Sequence, residues 1–336
     1  MSLLQVLFRR RLNITALRSI ELCEFFLDKA LRVAGPVLIA LAAVLISAVV
    51  YIYFSVLLFA NVGTPFHSFK ALAHVALGLS LLFNLVFNYA YCVITPPGHP
   101  PSLDRTSGSA SDIEGQNESA DSDDEGEYAP GQTRWCRRCR RAKPALTHHC
   151  HVCGKCILKM DHHCPWLDNC VGFFNYRYFL LFITYLWLGC IYVLLMTIQP
   201  LFRAEDPEKP LSTVVFAFTL CFAVAIALGC LLAWHLFLIL TAQTTVEFHV
   251  NRQRRADARK AGQVWSNEFN LGPIRNFKNT LDVQGPFWWC VWLLPRLRPP
   301  KGDGCLFPVR GESSQPAVSP PLVSVGSQRH LYKVLP

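Results

Sequence analysis

The sequence predicts an all-α, multi-pass membrane protein in which four transmembrane helices carry a cysteine-rich domain of mostly irregular structure and short strands. Three observations predict it. Four stretches are apolar over the roughly 20 residues that a bilayer-crossing helix needs. The composition, 52% hydrophobic and only 16% charged, is too apolar for an ordinary soluble domain. Between the second and third apolar stretches, seven cysteines and five histidines fall between Cys136 and Cys170, a density that a hydrophobic core does not require.

In chain order, residues 1–32 read as an N-terminal tail with Arg9, Arg10, Arg11, Arg18 and Arg32. Its apolar positions, among them Leu22, Phe25 and Phe26, fit either an interfacial helix or a mobile basic segment. This stretch is broken by charge and shows no cleavable signal peptide. The first span is expected over 36–60 and the second over 71–94, where His74, Asn84 and Asn88 are polar groups expected to face the bundle interior. Thr95-Pro96-Pro97-Gly98 stops the second helix, because the residue before a proline is driven out of the helical region. Residues 102–132, rich in Ser, Asp, Glu and Gly, read as an acidic disordered linker. Their serines are open to phosphorylation, or the segment is a plain spacer. The cysteine-rich domain covers 133–177, the third span 178–201 and the fourth 211–240. The remaining C-terminal region, 241–336, holds Trp288, Trp289 and Trp292 in a stretch too short to span, which reads as an interfacial anchor.

The formal charge of +9 raises nucleic-acid binding as one reading. The basic residues lie beside apolar spans, however, so the lipid bilayer with its anionic face is the expected partner, and no nucleic acid is. Arg252, Arg254, Arg255, Arg259 and Lys260 follow the fourth span. With four spans both termini share one face, and the lysine and arginine bias makes that face cytosolic. The cysteine-rich domain lies on it too, and the sequons at Asn13 and Asn117 should be silent there. Fourteen cysteines, six of them at ligand spacing, point to a reducing compartment rather than to disulfides.

The cysteine-rich domain contains an interleaved repeat. Cys136-x2-Cys139-x9-His149-x6-Cys156 recurs fourteen residues on as Cys150-x2-Cys153-x9-His163-x6-Cys170. Each copy supplies three thiolates and one imidazole, a full tetrahedral shell for a structural Zn2+. Two zincs use eight residues and leave Cys164, with His162 beside it, as a candidate nucleophile and base. Spacing alone leaves open that Cys164 is a ligand and another thiol is the spare one.

Asp161-His162-His163-Cys164-Pro165-Trp166, Asn169-Cys170-Val171-Gly172 and Asn175-Tyr176-Arg177 resemble the signature of the DHHC family of protein S-acyltransferases. The resemblance runs from about residue 30 to about residue 285 and includes Thr244-Thr245-Val246-Glu247, similar to the family's Thr-Thr-x-Glu motif. Asn267, Phe269, Gly272 and Asn276 resemble its C-terminal element, where the last asparagine anchors the tail to the helices. It implies the same zinc pairing, makes Cys164 the acyl carrier and gives Asp161 the role of orienting His162. It also implies palmitoyl-CoA as donor and protein substrates with membrane-proximal cysteines. Where the family has Asp-Pro-Gly after the second span, this chain has Thr95-Pro96-Pro97-Gly98. That feature and the region 244–259 resemble the Abl-philin type, which implies the endoplasmic reticulum or Golgi.

The residues themselves support such chemistry. A cysteine needs help to ionise at neutral pH, and an adjacent imidazole provides it. On an extended segment His162 and Cys164 point to one side and His163 to the other, which divides the two histidines between catalysis and metal. Adjacent strand residues point apart, so the pattern alone does not bring Asp161 to His162. An acyl tail gains about 0.8 kcal/mol per buried methylene, which explains a helix bundle with an apolar interior. Gly189 and Cys190 are small enough to leave room for it, or merely favour helix packing. Cys190, Cys221 and Cys230 read as packing residues, and Cys23 and Cys92 as positions open to acylation. A membrane-anchored zinc scaffold without catalysis is the alternative reading. A transporter is disfavoured, since the spans hold no charged pathway.

Overall fold

The computed structural model describes residues 14–62, 68–101, 134–202, 211–297 and 299–311, with side chains from Lys29 onward. The start of the N-terminal tail with Arg9–Arg11, the acidic linker expected over 102–132, both sequons, the Cys23 side chain and residues 312–336 lie outside them.

Among the described residues four helical segments are long and apolar enough to cross a bilayer: Lys29–Val62, Phe69–Ile94, Tyr176–Phe202 and Leu211–Leu240. The first belongs to a longer rod. Helix α1 (Ile14–Ile52) begins well before the apolar stretch expected over 36–60 and carries Pro36 in its interior. It continues through a π-helical turn at Tyr53–Leu57 into α2 (Leu58–Val62). Such π turns re-aim side chains within a helix, and here Tyr53 and Leu57 are buried. Helix α3 (Phe69–Ile94) starts where the Ser68 hydroxyl accepts the Ala71 N–H. It stops at Thr95, the residue before Pro96. Helices α4 (Tyr176–Phe202) and α5 (Leu211–Leu240) complete the bundle. Helix α4 lies between α3 and α5 and is the most enclosed of the four. Outward-facing Val37, Val44, Phe83, Phe222 and Ile226 are more than half exposed, an apolar surface that lipid would cover.

Between α3 and α4 the cysteine-rich domain folds as three antiparallel hairpins: β1 (Arg134–Cys136) with β2 (Arg141–Lys143), β3 (His148–Cys150) with β4 (Lys155–Ile157), and β5 (His162–Cys164) with β6 (Asn169–Val171). Strands of three residues are too short to be stable alone, so the domain depends on its metals and on docking to the helices. Asn169 donates to the carbonyls of Cys92, Val93 and Thr95 at 3.4, 3.2 and 3.1 Å, covering the open C-terminus of α3. That packing buries Cys92 completely, which removes it as an acylation position. The Pro97-Gly98 strand then runs along the domain, receiving Phe174 N–H and Leu158 N–H. Gly98 turns with φ 103°, which a side chain would resist. From the other side α1 reaches past the bundle. Arg32 donates to His151 O at 2.8 Å. Gly35 lies so close to Asp168 that a methyl group there would overlap its carboxylate.

Beyond α5 come α6 (Thr245–Lys260), α7 (Pro273–Leu281) and the single turn α8 (Trp288–Val291). Asn267 and Asn276 fasten this tail to the end of α5 and the turn just beyond it. Asn267 donates to Thr241 O and Ala242 O, and Asn276 to Leu240 O at 2.8 Å while accepting Leu271 N–H. The segment expected as an interfacial anchor is pinned to protein as well. Trp288 and Trp292 pack on Phe277, while Arg177 and Tyr185 of α4 donate to Leu294 O and Leu293 O. Trp289 remains exposed. Two polar residues of α3 find local partners: Asn84 and Asn88 donate to carbonyls one turn back in their own helix.

Asn276→Ala removes bonds on which both α5 and α7 rely, and a buried group left unpaired costs about 1–3 kcal/mol. The variant is expected to unfold several degrees below the parent in a detergent thermal-shift assay, with its acylation rate falling alongside.

Candidate active site and metal centres

The three hairpins bring the interleaved repeat together as two clusters, Cys136–Cys139–His149–Cys156 and Cys150–Cys153–His163–Cys170. In each, all four ligand atoms lie within 4.8 Å of one another. In the first, the Cys136, Cys139 and Cys156 sulfurs stand 3.6, 3.2 and 3.9 Å from His149 Nδ1. In the second, Cys153 and Cys170 stand 3.3 and 3.7 Å from His163 Nδ1 and 3.3 Å from each other. A tetrahedral zinc, with bonds of about 2.3 Å to sulfur and about 2.0–2.1 Å to nitrogen, sets its ligands at nearly such separations. Backbone N–H groups of Cys139 and Cys153 point at the sulfurs of Cys136 and Cys150, as suits thiolates. These residues fit two structural Zn2+, whose chemistry here is to fix the loop, each shell being closed.

Cys164 belongs to neither cluster. The β5–β6 register puts His163 opposite its fellow ligand Cys170, with His162 opposite Val171 and Cys164 opposite Asn169. Strand alternation thus turns His163 to a metal and His162 with Cys164 to the other face. His162 shares that face with Cys164, two residues along β5, and its Nδ1 is 2.7 Å from Asp161 Oδ2.

The sequence pattern could not bring Asp161 to this place; the start of α6 does. Asp161 is fully buried. Its Oδ1 accepts Thr245 N–H at 2.9 Å and its Oδ2 accepts Thr245 Oγ1–H at 3.0 Å. Thr245 is the first residue of α6, so the carboxylate sits where free N–H groups and the helix dipole favour negative charge. Thr244 is the N-cap, its hydroxyl accepting Glu247 N–H at 3.2 Å. In a capping box the Glu of Thr-x-x-Glu would reach back to the cap's own N–H. Here Glu247 turns to His148 instead, with Oε1 2.7 Å from Nε2 in a buried pair. The Thr-Thr-x-Glu motif therefore grips the zinc loop twice, through Asp161 and through His148.

Electrostatics follow from these contacts. Burial alone would raise the Asp161 and Glu247 pKa values. The bonds from His162 and Thr245, and from His148, outweigh it and hold both carboxyls below the ordinary range. Burial disfavours a charge on His162, yet its bonds to Asp161 and Cys164 prevail and lift its pKa to about 9. The contact with Asp161 thus favours the charged form of His162.

Cys164 opens on an apolar cavity of about 460 Å³ inside the bundle, lined by residues of all four spans. Trp166, Tyr89, Phe179 and Phe182 surround its mouth, and Gly78, Gly189, Cys190, Tyr192, Tyr53 and Cys221 lie deeper. Tyr53 and Tyr192 meet there, hydroxyl to hydroxyl at 3.1 Å, with His74 Nδ1 2.7 Å from Tyr192. A Cβ at Gly189 would meet nothing within 4 Å, so that glycine leaves space. Cys190 and Cys221 pack in the bundle, whereas Cys230 faces outward.

Sequence reasoning passed over His235. It is the one histidine of a span without charged residues, and an ionisable group in a span is a candidate for function. It is 1% exposed, and its ring lies 5.9 Å from that of His162, centroid to centroid.

A thiol outside both metal clusters, beside an imidazole and opening on an apolar cavity within membrane helices, is an arrangement that suits a membrane-embedded thiol acyltransferase. Residues 129–252 match the model of the DHHC palmitoyltransferase family. Palmitoyltransferase ZDHHC16 of Mus musculus is 33% identical over 301 residues, covering 83% of this chain and 76% of its own. Palmitoyltransferase ZDHHC16A of Danio rerio is 30% identical over 325 residues, 80% and 77%. Probable protein S-acyltransferase 16 of Arabidopsis thaliana is 33% identical over 247 residues, 71% and 84%. The chain belongs to the DHHC palmitoyltransferase family, and the ZDHHC16 relatives support its resemblance to the Abl-philin type.

Cys164→Ser should keep two zincs per chain while Cys139→Ser or Cys153→Ser loses metal and order; zinc analysis of the purified variants checks this, and a halved content in Cys164→Ser would break the ligand assignment. Gly189→Leu fills the cavity. It should depress turnover of a sixteen-carbon acyl-CoA, by about tenfold on the usual scale for overpacking of 1–3 kcal/mol, and that of a ten-carbon donor far less.

Proposed function

We propose that this chain transfers a long acyl group, palmitoyl above all, from acyl-CoA to cysteine thiols of proteins, with Cys164 as the acyl carrier, His162 as the base and Asp161 as its orienting partner. The single observation that carries this reading is that the thiol outside both zinc shells is the one that lines the apolar cavity beside His162.

The steps balance as follows. His162 takes the Cys164 proton, and the thiolate attacks the thioester carbonyl of acyl-CoA. The carbon–sulfur bond to CoA breaks, the CoA thiolate recovers the proton from His162, and Cys164 carries the acyl chain as a thioester. A substrate cysteine then gives its proton to His162 and attacks the same carbonyl. The acyl group moves to it, and the Cys164 thiolate is reprotonated. One thioester replaces another in each step, so no other energy source is needed. This is two-step covalent catalysis with a triad-like order of nucleophile, base and orienter. Asp161 stays ionised throughout, since its bonds to Thr245 at the α6 terminus persist whichever atom holds the proton.

The cluster Arg252, Arg254, Arg255, Arg259 and Lys260 on α6 supports a cytosolic site with both termini on that side. A thiol at the mouth of an intramembrane cavity suits substrate cysteines close to the bilayer surface. The resemblance to the Abl-philin type supports the endoplasmic reticulum or Golgi. A zinc scaffold without catalysis gives no reason for a buried Asp161–His162 pair.

Incubation with an alkyne-bearing fatty acyl-CoA is expected to label the enzyme through a hydroxylamine-sensitive bond and to leave Cys164→Ser unlabelled. Equal labelling of the two would overturn the assignment of the carrier.

A further inference from the structure

Next to the Asp161–His162 pair stands a second polar pair from the membrane helices. His235, near the end of α5, is 1% exposed, and its Nδ1 is 3.1 Å from the hydroxyl of Tyr176, the first residue of α4. A ring nitrogen of His235, a ring nitrogen of His162 and a carboxylate oxygen of Asp161 all fall within 4.8 Å of one another. Phe179 packs against both imidazoles, its ring 5.1 Å from that of His162 and 4.9 Å from that of His235, edge-on to each, while the two imidazoles stand 5.9 Å apart. His235 is not among the residues that line the acyl cavity.

This placement is costly without a purpose. A polar ring buried at an apolar helix end loses its hydration, and phenylalanine would fill a similar volume without that loss. Tyr176 satisfies one nitrogen, and a tyrosine that donates to Nδ1 leaves the ring's own proton on the other nitrogen. The ring is thereby held as a polar neighbour of a buried carboxylate and of the imidazole that must gain and lose a proton.

We propose that His235, held by Tyr176, is a positioning residue for acyl-enzyme formation: with Phe179 it fixes the plane of the His162 ring, and its ring dipole supports the charge on Asp161. It acts through His162 and Asp161 and touches neither thioester. This inference rests on the assignment of Cys164 and His162 above.

The test measures single-turnover acylation of the intact enzyme by palmitoyl-CoA, together with the half-saturating donor concentration and zinc content. His235→Phe should slow the saturated acylation rate by about tenfold or more, the scale of one lost transition-state interaction, with half-saturation and both zincs unchanged. His235→Gln, which keeps a donor and an acceptor, should return to within about threefold of the parent. Tyr176→Phe should slow the same step less, and adding it to His235→Phe should cost nothing further, since coupled residues are not additive. A parental rate in His235→Phe overturns the proposal. So do equal losses in the Gln and Phe variants, or additive losses in the double variant. If His235→Phe fails to retain zinc, His235→Gln and Tyr176→Phe decide the matter: the proposal survives only if Tyr176→Phe slows saturated acylation while His235→Gln stays within that threefold limit. Acyl uptake by Cys164→Ser would instead refute the underlying assignment, whatever His235 does.

Discussion

The structure depends on one buried carboxylate. Asp161 accepts from His162 on one side and from the first residue of α6 on the other, and so joins the zinc-bound hairpins to the helix that follows the last span. Each charged hydrogen bond of this kind contributes about 1.5–3 kcal/mol, and a carboxylate left with none of them would be expelled from so buried a place. The same contacts that hold the loop on the bundle set the electrostatics of His162. Fold and chemistry share one atom group, which is why the Thr-Thr-x-Glu turn lies so far along the chain from the cysteines it serves.

Much of this was legible in the sequence because the signals are local or periodic. The interleaved Cys–Cys–His–Cys spacing picks out the two clusters and sets Cys164 apart, and the two-residue period of a strand separates His162 from His163. The fold class, four apolar spans around a cysteine-rich domain with short strands, follows from length and hydropathy. What stayed hidden depends on contacts between distant segments. Nothing in the neighbourhood of Asp161 announces Thr245, and Thr244-x-x-Glu247 reads as a helix start, without a sign that Glu247 turns away to His148. His235 escaped notice because a lone histidine in a span carries no spacing to match. The apolar positions before the first span fit an interfacial helix or a mobile segment, and no local signal shows that the helix runs unbroken through Pro36 into the span.

Metal and lipid divide the remaining work. The hairpins are too short to hold their own shape, so the thiolate–imidazole shells supply rigidity where a hydrophobic core cannot. The bundle supplies the reverse: an apolar interior in which small residues such as Gly189 keep space free, at the expense of packing density that a soluble core would demand. Cys164 stands where the two regimes meet, one residue from a metal ligand and in the wall of the cavity.

The close approach of Gly35 to Asp168 has a mechanical consequence. The helix that holds the first span also presses on the turn after Cys164, with Arg32 clasping the β3–β4 hairpin. Helices answer a change in bilayer thickness by tilting. A rod of this kind converts tilt into displacement at its far end, so the thickness of the host membrane becomes one of the quantities that sets the geometry of acyl transfer.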